Sequence, residues 1–167
     1  MAQPSGWPNL PARSPGGKAL PPGLADLPQP LFVFDGVCVL CSATVRFVLA
    51  HERDRSLSFA AAQSPLGQAI YAALGMPGDR FESMVVIEQG RAFVKSAGAL
   101  RLARRLRQPW RLLGAVTRIL PRPLRDWIYD RVAGNRYALF GRYDACMVPD
   151  ASLADRFVDW MGSSQPR

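Results

Sequence analysis

The chain has 167 residues and a mass of 18.4 kDa, which is the size of one domain with short additions. Since 49% of the residues are apolar and only three are cysteines, we expect a packed core and exclude a disulfide-rich secreted scaffold. The sequence contains neither the apolar run of about 20 residues that a membrane-spanning helix needs nor the apolar core of a signal peptide. We therefore expect a cytoplasmic protein without a transmembrane segment.

The net charge of +8 is concentrated in one part of the chain. Between Arg91 and Arg142 there are thirteen basic residues and two acidic ones, a net charge of +11, so the remainder carries −3. Such a block indicates either arginines on the solvated faces of surface helices or contact with an anionic partner or membrane surface. No nucleic-acid-binding motif accompanies these arginines, so we expect no nucleic acid partner.

Folded structure is predicted to begin after a proline-rich N-terminal arm. Residues 1–30 hold eight of the fifteen prolines, and their few large apolar side chains predict a disordered segment that ends before Leu31. Apolar spacing then predicts a buried strand, a helix, a second strand and a second helix. They begin near Leu31, Cys41, Leu57 and Pro65. Ser64 is the predicted N-cap of the second helix.

A hairpin and another helix follow. Met84–Ile87 and Ala92–Val94 are predicted strands joined by a tight turn at Gln89-Gly90. Ser96 is the predicted cap of the next helix. The resulting βαβαββα order predicts an α/β, thioredoxin-like core over residues 31–107.

Residues 108–162 are predicted to form a helical extension packed on the same domain. Trp110–Leu120 is amphipathic, a second helix is expected from Pro123 to near Gly134, and Asp150 is placed to cap a last one. Sequence alone does not determine whether the arginines of this extension face the core or the solvent.

The chemistry is expected at Cys38-Val39-Leu40-Cys41, between the first strand and the first helix. This spacing allows a disulfide to form and break within one turn. A helix N-terminus favours thiolate, since it presents unpaired amide donors and the positive end of the helix dipole. We predict that Cys38, expected to be the more exposed thiol, is the nucleophile, and that the more shielded Cys41 is the resolving cysteine.

Other interpretations of the cysteines remain open. Cys38, Cys41, His51 and Cys146 could formally supply a zinc site. However, His51 lies ten residues beyond Cys41, roughly 15 Å along the same predicted helix, so it cannot share a metal or act as a base there unless the helix breaks. Two inert buried thiols, or a binding module that keeps the fold without the chemistry, are further alternatives. We interpret Cys146 as a small buried side chain.

Asp35 closes the first strand three residues before Cys38. Its carboxylate could accept a proton during exchange, or it could cap the helix and fix the loop. These roles oppose each other, because an ionised Asp35 raises the pKa of a neighbouring cysteine. We favour the structural role.

The segment Phe34-Asp35-Gly36-Val37-Cys38-Val39-Leu40-Cys41 resembles the signature of the DCC family of predicted thiol-disulfide oxidoreductases, named for one Asp and two Cys. The similarity covers roughly residues 31–149. It also includes Gln63-Ser64, Asn135-Arg136-Tyr137 and Cys146-Met147-Val148-Pro149. The resemblance implies a thioredoxin-like fold and implies Asp35, Cys38 and Cys41 as the functional residues.

The sequence departs from active thioredoxins and glutaredoxins at one position. Those proteins usually place a cis-proline before the third strand, facing the CxxC motif, where this chain has Glu82-Ser83-Met84. A cis bond without proline costs about 3 kcal/mol, so we expect an ordinary trans bond at Ser83.

These observations predict a thiol-disulfide oxidoreductase. Its partners would be a thiol or disulfide substrate and a cellular thiol that supplies or removes electrons, with no metal or organic cofactor. The alternative is a redox-inert binding module whose arginine-rich helices dock on an anionic partner or membrane surface.

Overall fold

A computed structural model describes residues 17–78, 81, 83–146 and 150–158 of the chain. It shows a mixed α/β architecture around a five-stranded sheet with the strand order β1-β5-β4-β2-β3. The strands are β1 (Lys18–Ala19), β2 (Leu31–Phe34), β3 (Ser58–Ala61), β4 (Val85–Glu88) and β5 (Arg91–Val94). This architecture is compatible with a thioredoxin-like fold and confirms the predicted fold class.

Six α-helices accompany the sheet in the described part of the chain. They are α1 (Pro22–Ala25), α2 (Val39–His51), α3 (Pro65–Ala73), α4 (Lys95–Arg105), α5 (Trp110–Val116) and α6 (Arg122–Phe140). Two 3₁₀ helices follow α5 and α6, at Thr117–Ile119 and Ala151–Arg156. None of the helices in these described segments is both long and apolar enough to cross a bilayer.

The interior strand β2 contributes side chains to two apolar layers, one on each face of the sheet. It pairs in parallel with β3 and antiparallel with β4. Its side chains alternate, so Leu31 and Val33 pack in one apolar cluster with Ile70 of α3, while Phe32 and Phe34 pack in the other. The strand is buried along its whole length, as its continuous apolar run predicts. Its carboxyl end positions the cysteine motif.

Local turn and cap chemistry agrees with the sequence at two places. Ser64 caps α3 by accepting a hydrogen bond from the amide of Gly67 at 3.0 Å. Gln89 and Gly90 both have positive φ, 52° and 69°, which is the backbone geometry of a tight hairpin turn.

Order begins before Leu31, in contrast to the predicted disordered arm through residue 30. Within that arm, β1 pairs antiparallel with β5, and the amide of Leu20 donates to the carbonyl of Gly90 at 2.9 Å. Leu20 is buried in the apolar cluster beside α3. A few leucines are therefore sufficient to hold this proline-rich segment on the sheet edge.

Two predicted helix boundaries are wrong. Helix α4 begins at Lys95 without a side-chain cap, because the Ser96 hydroxyl donates to Asp126 of α6 instead. Helix α6 does not end near Gly134 but continues to Phe140. Gly134 is exposed and nothing crowds it, so it remains helical, and the last turns of α6 reach the cysteine motif.

Candidate active site

The two cysteines of the CxxC motif lie at the N-terminus of α2. Cys38 is the N-cap residue, and its Sγ accepts a hydrogen bond from the amide of Cys41 at 3.3 Å. Cys41 is in the first turn of the helix. A sulfur in this position receives an otherwise unpaired helix amide and the positive end of the helix dipole, and both favour the thiolate.

This geometry separates the acidities of the two thiols. The hydrogen bond from the Cys41 thiol lowers the pKa of Cys38 from an ordinary 9.0 to about 6, and it outweighs the opposing effect of burial. The same hydrogen bond, together with burial, raises the pKa of Cys41 far above its ordinary range. The hydrogen bond therefore favours the thiolate on Cys38 and the proton on Cys41.

The expectation that Cys38 is the more exposed cysteine is wrong. Cys38 is 0% exposed, whereas Cys41 is half-buried. The chain that follows α6 covers Cys38: the carbonyl of Gly141 accepts from the Val39 amide at 3.4 Å, and Arg142 forms a β-bridge with Cys38. We call residues 141–143 the covering strip. The covering strip was not predicted, because it contacts residues that lie about one hundred positions earlier in the sequence.

Asp35 is the centre of a buried hydrogen-bond network. The side chain is 2% exposed, and its Oδ1 accepts from the Val37 amide at 3.2 Å and from Gln63 Nε2 at 2.7 Å. Its Oδ2 accepts from Arg136 Nη2 at 3.4 Å and from the hydroxyl of Tyr137. Burial and this last hydrogen bond raise the pKa of Tyr137, so the phenol stays protonated and remains a donor.

The contacts of Asp35 favour the positioning role over the proton-acceptor role. Each carboxylate oxygen already accepts two hydrogen bonds, and the Cys38 side chain itself, rather than Asp35, caps α2. The negative charge of Asp35 raises the pKa of Cys38, and the positive charge of Arg136 lowers it. The ion pair therefore limits the cost of placing a carboxylate beside a thiolate.

Gly36 is required by close packing in the turn. Its amide donates to Gln63 Oε1 at 3.0 Å, and a Cβ at this position would collide with Cys146 Sγ. Cys146 is thus half-buried against the motif rather than remote from it. The residues that follow it, 147–149, lie outside the described part of the chain.

His51 is separated from the cysteines by the length of α2. It is the last residue of that helix, stacks on Phe47 and contacts the edge of Trp110. Its Nδ1 is 2.8 Å from the carbonyl oxygen of Phe47. Within the described segments no three His, Cys, Asp or Glu side chains are grouped as metal ligands would be.

A small apolar cavity of about 100 Å³ adjoins Cys41. Met84 on the sheet side and Tyr129 and Val132 of α6 line it. The Met84 amide donates to Tyr129 Oη at 3.1 Å, and the preceding Ser83 carbonyl accepts from Tyr71 Oη at 2.5 Å. At Ser83 and Met84, where the sequence predicts the counterpart of the thioredoxin cis-proline, the backbone is thus held by tyrosines.

Sequence reasoning did not assign roles to Gln63, Arg136 or Tyr137. Each bonds directly to Asp35, although Arg136 and Tyr137 lie about one hundred residues from it in sequence. The signal that could have identified them is their presence in the family motifs, which include Gln63-Ser64 and Asn135-Arg136-Tyr137.

Comparisons with known proteins agree with this geometry. The family model described as DCC1-like thiol-disulfide oxidoreductase matches residues 32–142. The chain is 41% identical over 132 residues to an uncharacterized protein named YuxK of Bacillus subtilis strain 168, which covers 79% of this chain and 96% of that protein. It is also 39% identical over 118 residues to a chloroplastic DCC family protein of Arabidopsis thaliana, covering 71% of this chain and 69% of that protein.

No solved structure matches the chain significantly. The matched range extends from β2 through the first residues of the covering strip, so it includes Asp35, both cysteines and the α6 residues that hold Asp35. The two relatives come from a bacterium and a plant. The chain belongs to the DCC1-like thiol-disulfide oxidoreductase family.

Proposed function

We propose that the protein is an enzyme that exchanges a Cys38–Cys41 dithiol or disulfide with thiol or disulfide substrates, with Asp35 as a positioning residue. The observation that carries the proposal is the position of Cys38 at the N-cap of α2, where its Sγ accepts from the Cys41 amide at 3.3 Å and the hydrogen bond from Cys41 lowers the pKa of Cys38 to about 6. A thiolate is the nucleophile in disulfide exchange, and a pKa near ambient pH combines a high thiolate fraction with good nucleophilicity.

In the reductive direction, the Cys38 thiolate attacks one sulfur of a substrate disulfide. The substrate S–S bond breaks, a Cys38–substrate mixed disulfide forms, and the departing substrate thiolate takes a proton. Cys41 then loses its proton and attacks Cys38 Sγ, which releases the second substrate thiolate. Two electrons pass to the substrate, and the enzyme is left with a Cys38–Cys41 disulfide that a cellular thiol must reduce.

Access to Cys38 requires the covering strip to move. Cys38 is fully buried beneath residues 141–143, and the strip is held to the motif by few backbone hydrogen bonds, including Tyr143 N to Val37 O at 2.8 Å. Opening these bonds would uncover the Cys38 thiolate. Local openings of this kind cost much less than global unfolding.

Asp35 acts on the reaction through the turn. Its hydrogen bonds to Val37 and Gln63 fix the loop that precedes Cys38, and Gln63 in turn holds Gly36. We further propose a cytoplasmic location, where a thiol pool would supply electrons to the oxidised pair. The substrate and the cellular thiol are defined only by their chemistry.

The proposal is tested by trapping with single-cysteine variants. Cys38→Ser removes the attacking thiolate, so it should abolish reduction of a disulfide substrate such as insulin. Cys41→Ser keeps the nucleophile without the resolving thiol, so it should accumulate a covalent mixed disulfide through Cys38, detected by intact and peptide mass. Cys146→Ser is the matched control, with one thiol fewer and exchange retained.

Two outcomes would contradict these roles. One is a folded Cys38→Ser variant that still turns over substrate. The other is a Cys41→Ser variant that forms no adduct with any disulfide under conditions in which the unaltered protein is oxidised.

A further inference from the structure

A second cavity lies away from the cysteine motif, among the basic helices. It has a volume of about 620 Å³ and is lined by parts of α4, α5 and α6 together with the 3₁₀ helix after α5. Six arginines contribute to its wall: Arg101, Arg104, Arg111, Arg118, Arg122 and Arg125. Among its described lining residues there is no carboxylate.

Among the residues that the structure describes, four of these six arginines have no carboxylate partner. Arg101 pairs with Glu88 at 2.7 Å and Arg122 pairs with Asp126 at 3.4 Å. The other four form no ion pair with a carboxylate in the part of the chain that the structure describes: Arg104, Arg111, Arg118 and Arg125. Like charges that converge on one cavity repel each other unless an anion is placed between them.

Arg125 carries a second, independent signal. Its Nε and Nη1 atoms are buried, and within the described residues neither has a hydrogen-bond partner. Buried guanidinium donors without an acceptor are rare because their desolvation is not compensated. The Arg125 side chain lines the cavity, so a small rotation of its guanidinium group toward an oxygen-rich ligand there would supply the missing acceptors.

The chemistry of the wall selects the ligand class. The planar guanidinium group binds phosphoryl oxygens through paired N–H donors. The volume lies within the range of about 300–1,000 Å³ typical of small-molecule sites. We propose that this cavity binds an anion that carries two or more phosphoryl groups, a site separate from the cysteine chemistry.

Such a ligand could come from solution or from a membrane. Helix α5 and the 3₁₀ helix that follows it also carry exposed apolar side chains: Leu112 is 59%, Val116 52% and Ile119 83% exposed. An apolar face beside phosphate-binding arginines is typical of helices that lie at a lipid interface. The shared chemistry is the phosphoryl group, and the source is determined by experiment.

The test uses the full chain with two probes. Inorganic tripolyphosphate, followed by calorimetric titration, represents the soluble source. Phosphatidylcholine vesicles with and without cardiolipin, a lipid that carries two phosphoryl groups, followed by flotation, represent the lipid source. The double variant Arg118→Gln/Arg125→Gln should weaken binding by at least about tenfold, since each lost guanidinium removes charge-assisted hydrogen bonds.

Two further variants make the comparison specific. Arg46→Gln/Arg55→Gln removes the same charge from exposed positions outside the cavity and should leave binding within about twofold. Arg111→Gln/Arg118→Gln alters only exposed side chains and should weaken binding even if the loss of Arg125 disturbs folding.

Every outcome decides the proposal. Tripolyphosphate binding that the cavity variants lose supports a soluble ligand, and vesicle binding with the same dependence supports a lipid headgroup. The proposal is overturned if neither probe binds, or if the control variant loses as much affinity as the cavity variants, because binding would then follow net charge alone.

Discussion

Two groups of arginines in the described residues differ in whether the protein itself supplies their hydrogen-bond acceptors. Beside the cysteine motif, Arg136 contacts Asp35, the Phe81 carbonyl and Tyr137. At the end of the sheet, Arg156 binds the carboxylate of Glu52 and the carbonyl of Leu57. In the cavity of the basic helices, by contrast, four of the six lining arginines form no ion pair with a described carboxylate.

This difference separates arginines that build the structure from arginines that are available to a ligand. A buried, paired arginine cannot be removed without leaving its partner charge uncompensated. An unpaired arginine on a cavity wall contributes little to folding and is repelled by the neighbouring arginines. Its replacement should therefore change the free energy of unfolding only slightly. Stability and ligand binding should therefore respond to different arginines.

The largest effect is expected at the buried ion pair between Arg156 and Glu52, whose side chains are 6% and 5% exposed. Arg156→Met should lower the free energy of unfolding by about 3–5 kcal/mol, because Glu52 would keep a buried charge without its partner. Urea denaturation measures this loss. Arg53→Gln, in an exposed pair with Asp54, is the control and should cost less than about 1 kcal/mol. Equal losses of unfolding free energy in the two variants would contradict the distinction between buried and exposed ion pairs.

The groups around the cysteine motif should also control the pKa of Cys38. Two variants there should shift this pKa in opposite directions. Cys41→Ala removes the thiol donor and should move the pKa of Cys38 from about 6 toward the ordinary 9.0. Asp35→Asn removes a charge that raises this pKa, so it should shift the value downward. The measurement is the rate of alkylation of Cys38 against pH, which rises as the thiolate forms. Shifts of the same sign would refute the electrostatic account.

A smaller effect is expected at the covering strip. Tyr143→Pro removes the amide that donates to Val37 O and should increase the rate of Cys38 alkylation several-fold at constant pH. Tyr143→Ala keeps the amide and serves as the control. If both variants react like the unaltered protein, the strip does not limit access to Cys38.

The smallest effect on stability is expected in the arginine-lined cavity. Arg118→Gln should change the free energy of unfolding by less than about 0.5 kcal/mol, since Arg118 is exposed and forms no ion pair with a described carboxylate. Thermal unfolding at low salt measures the change. A loss as large as that of Arg156→Met would show that the cavity arginines are structural.

Sequence reasoning was accurate where local signals decide the structure. The buried strand β2, the Ser64 cap and the Gln89-Gly90 turn follow from nearby residues. The boundary of α6 could not be predicted in this way, because Gly134 is a weak helix breaker.

The candidate site divides in the same manner. The spacing of Cys38 and Cys41 before a helix was sufficient to identify the motif, but exposure of the thiols was not predictable from it. The cover over Cys38 and the Arg136 and Tyr137 contacts to Asp35 are long-range. Local periodicity carries no information on such contacts.

The most direct test of the central claim is a redox titration of the unaltered protein in graded dithiothreitol buffers, followed by alkylation and peptide mass analysis. We expect one two-electron transition that joins Cys38 to Cys41 and leaves Cys146 as a thiol. A folded protein in which Cys38 and Cys41 never oxidise together would contradict the account.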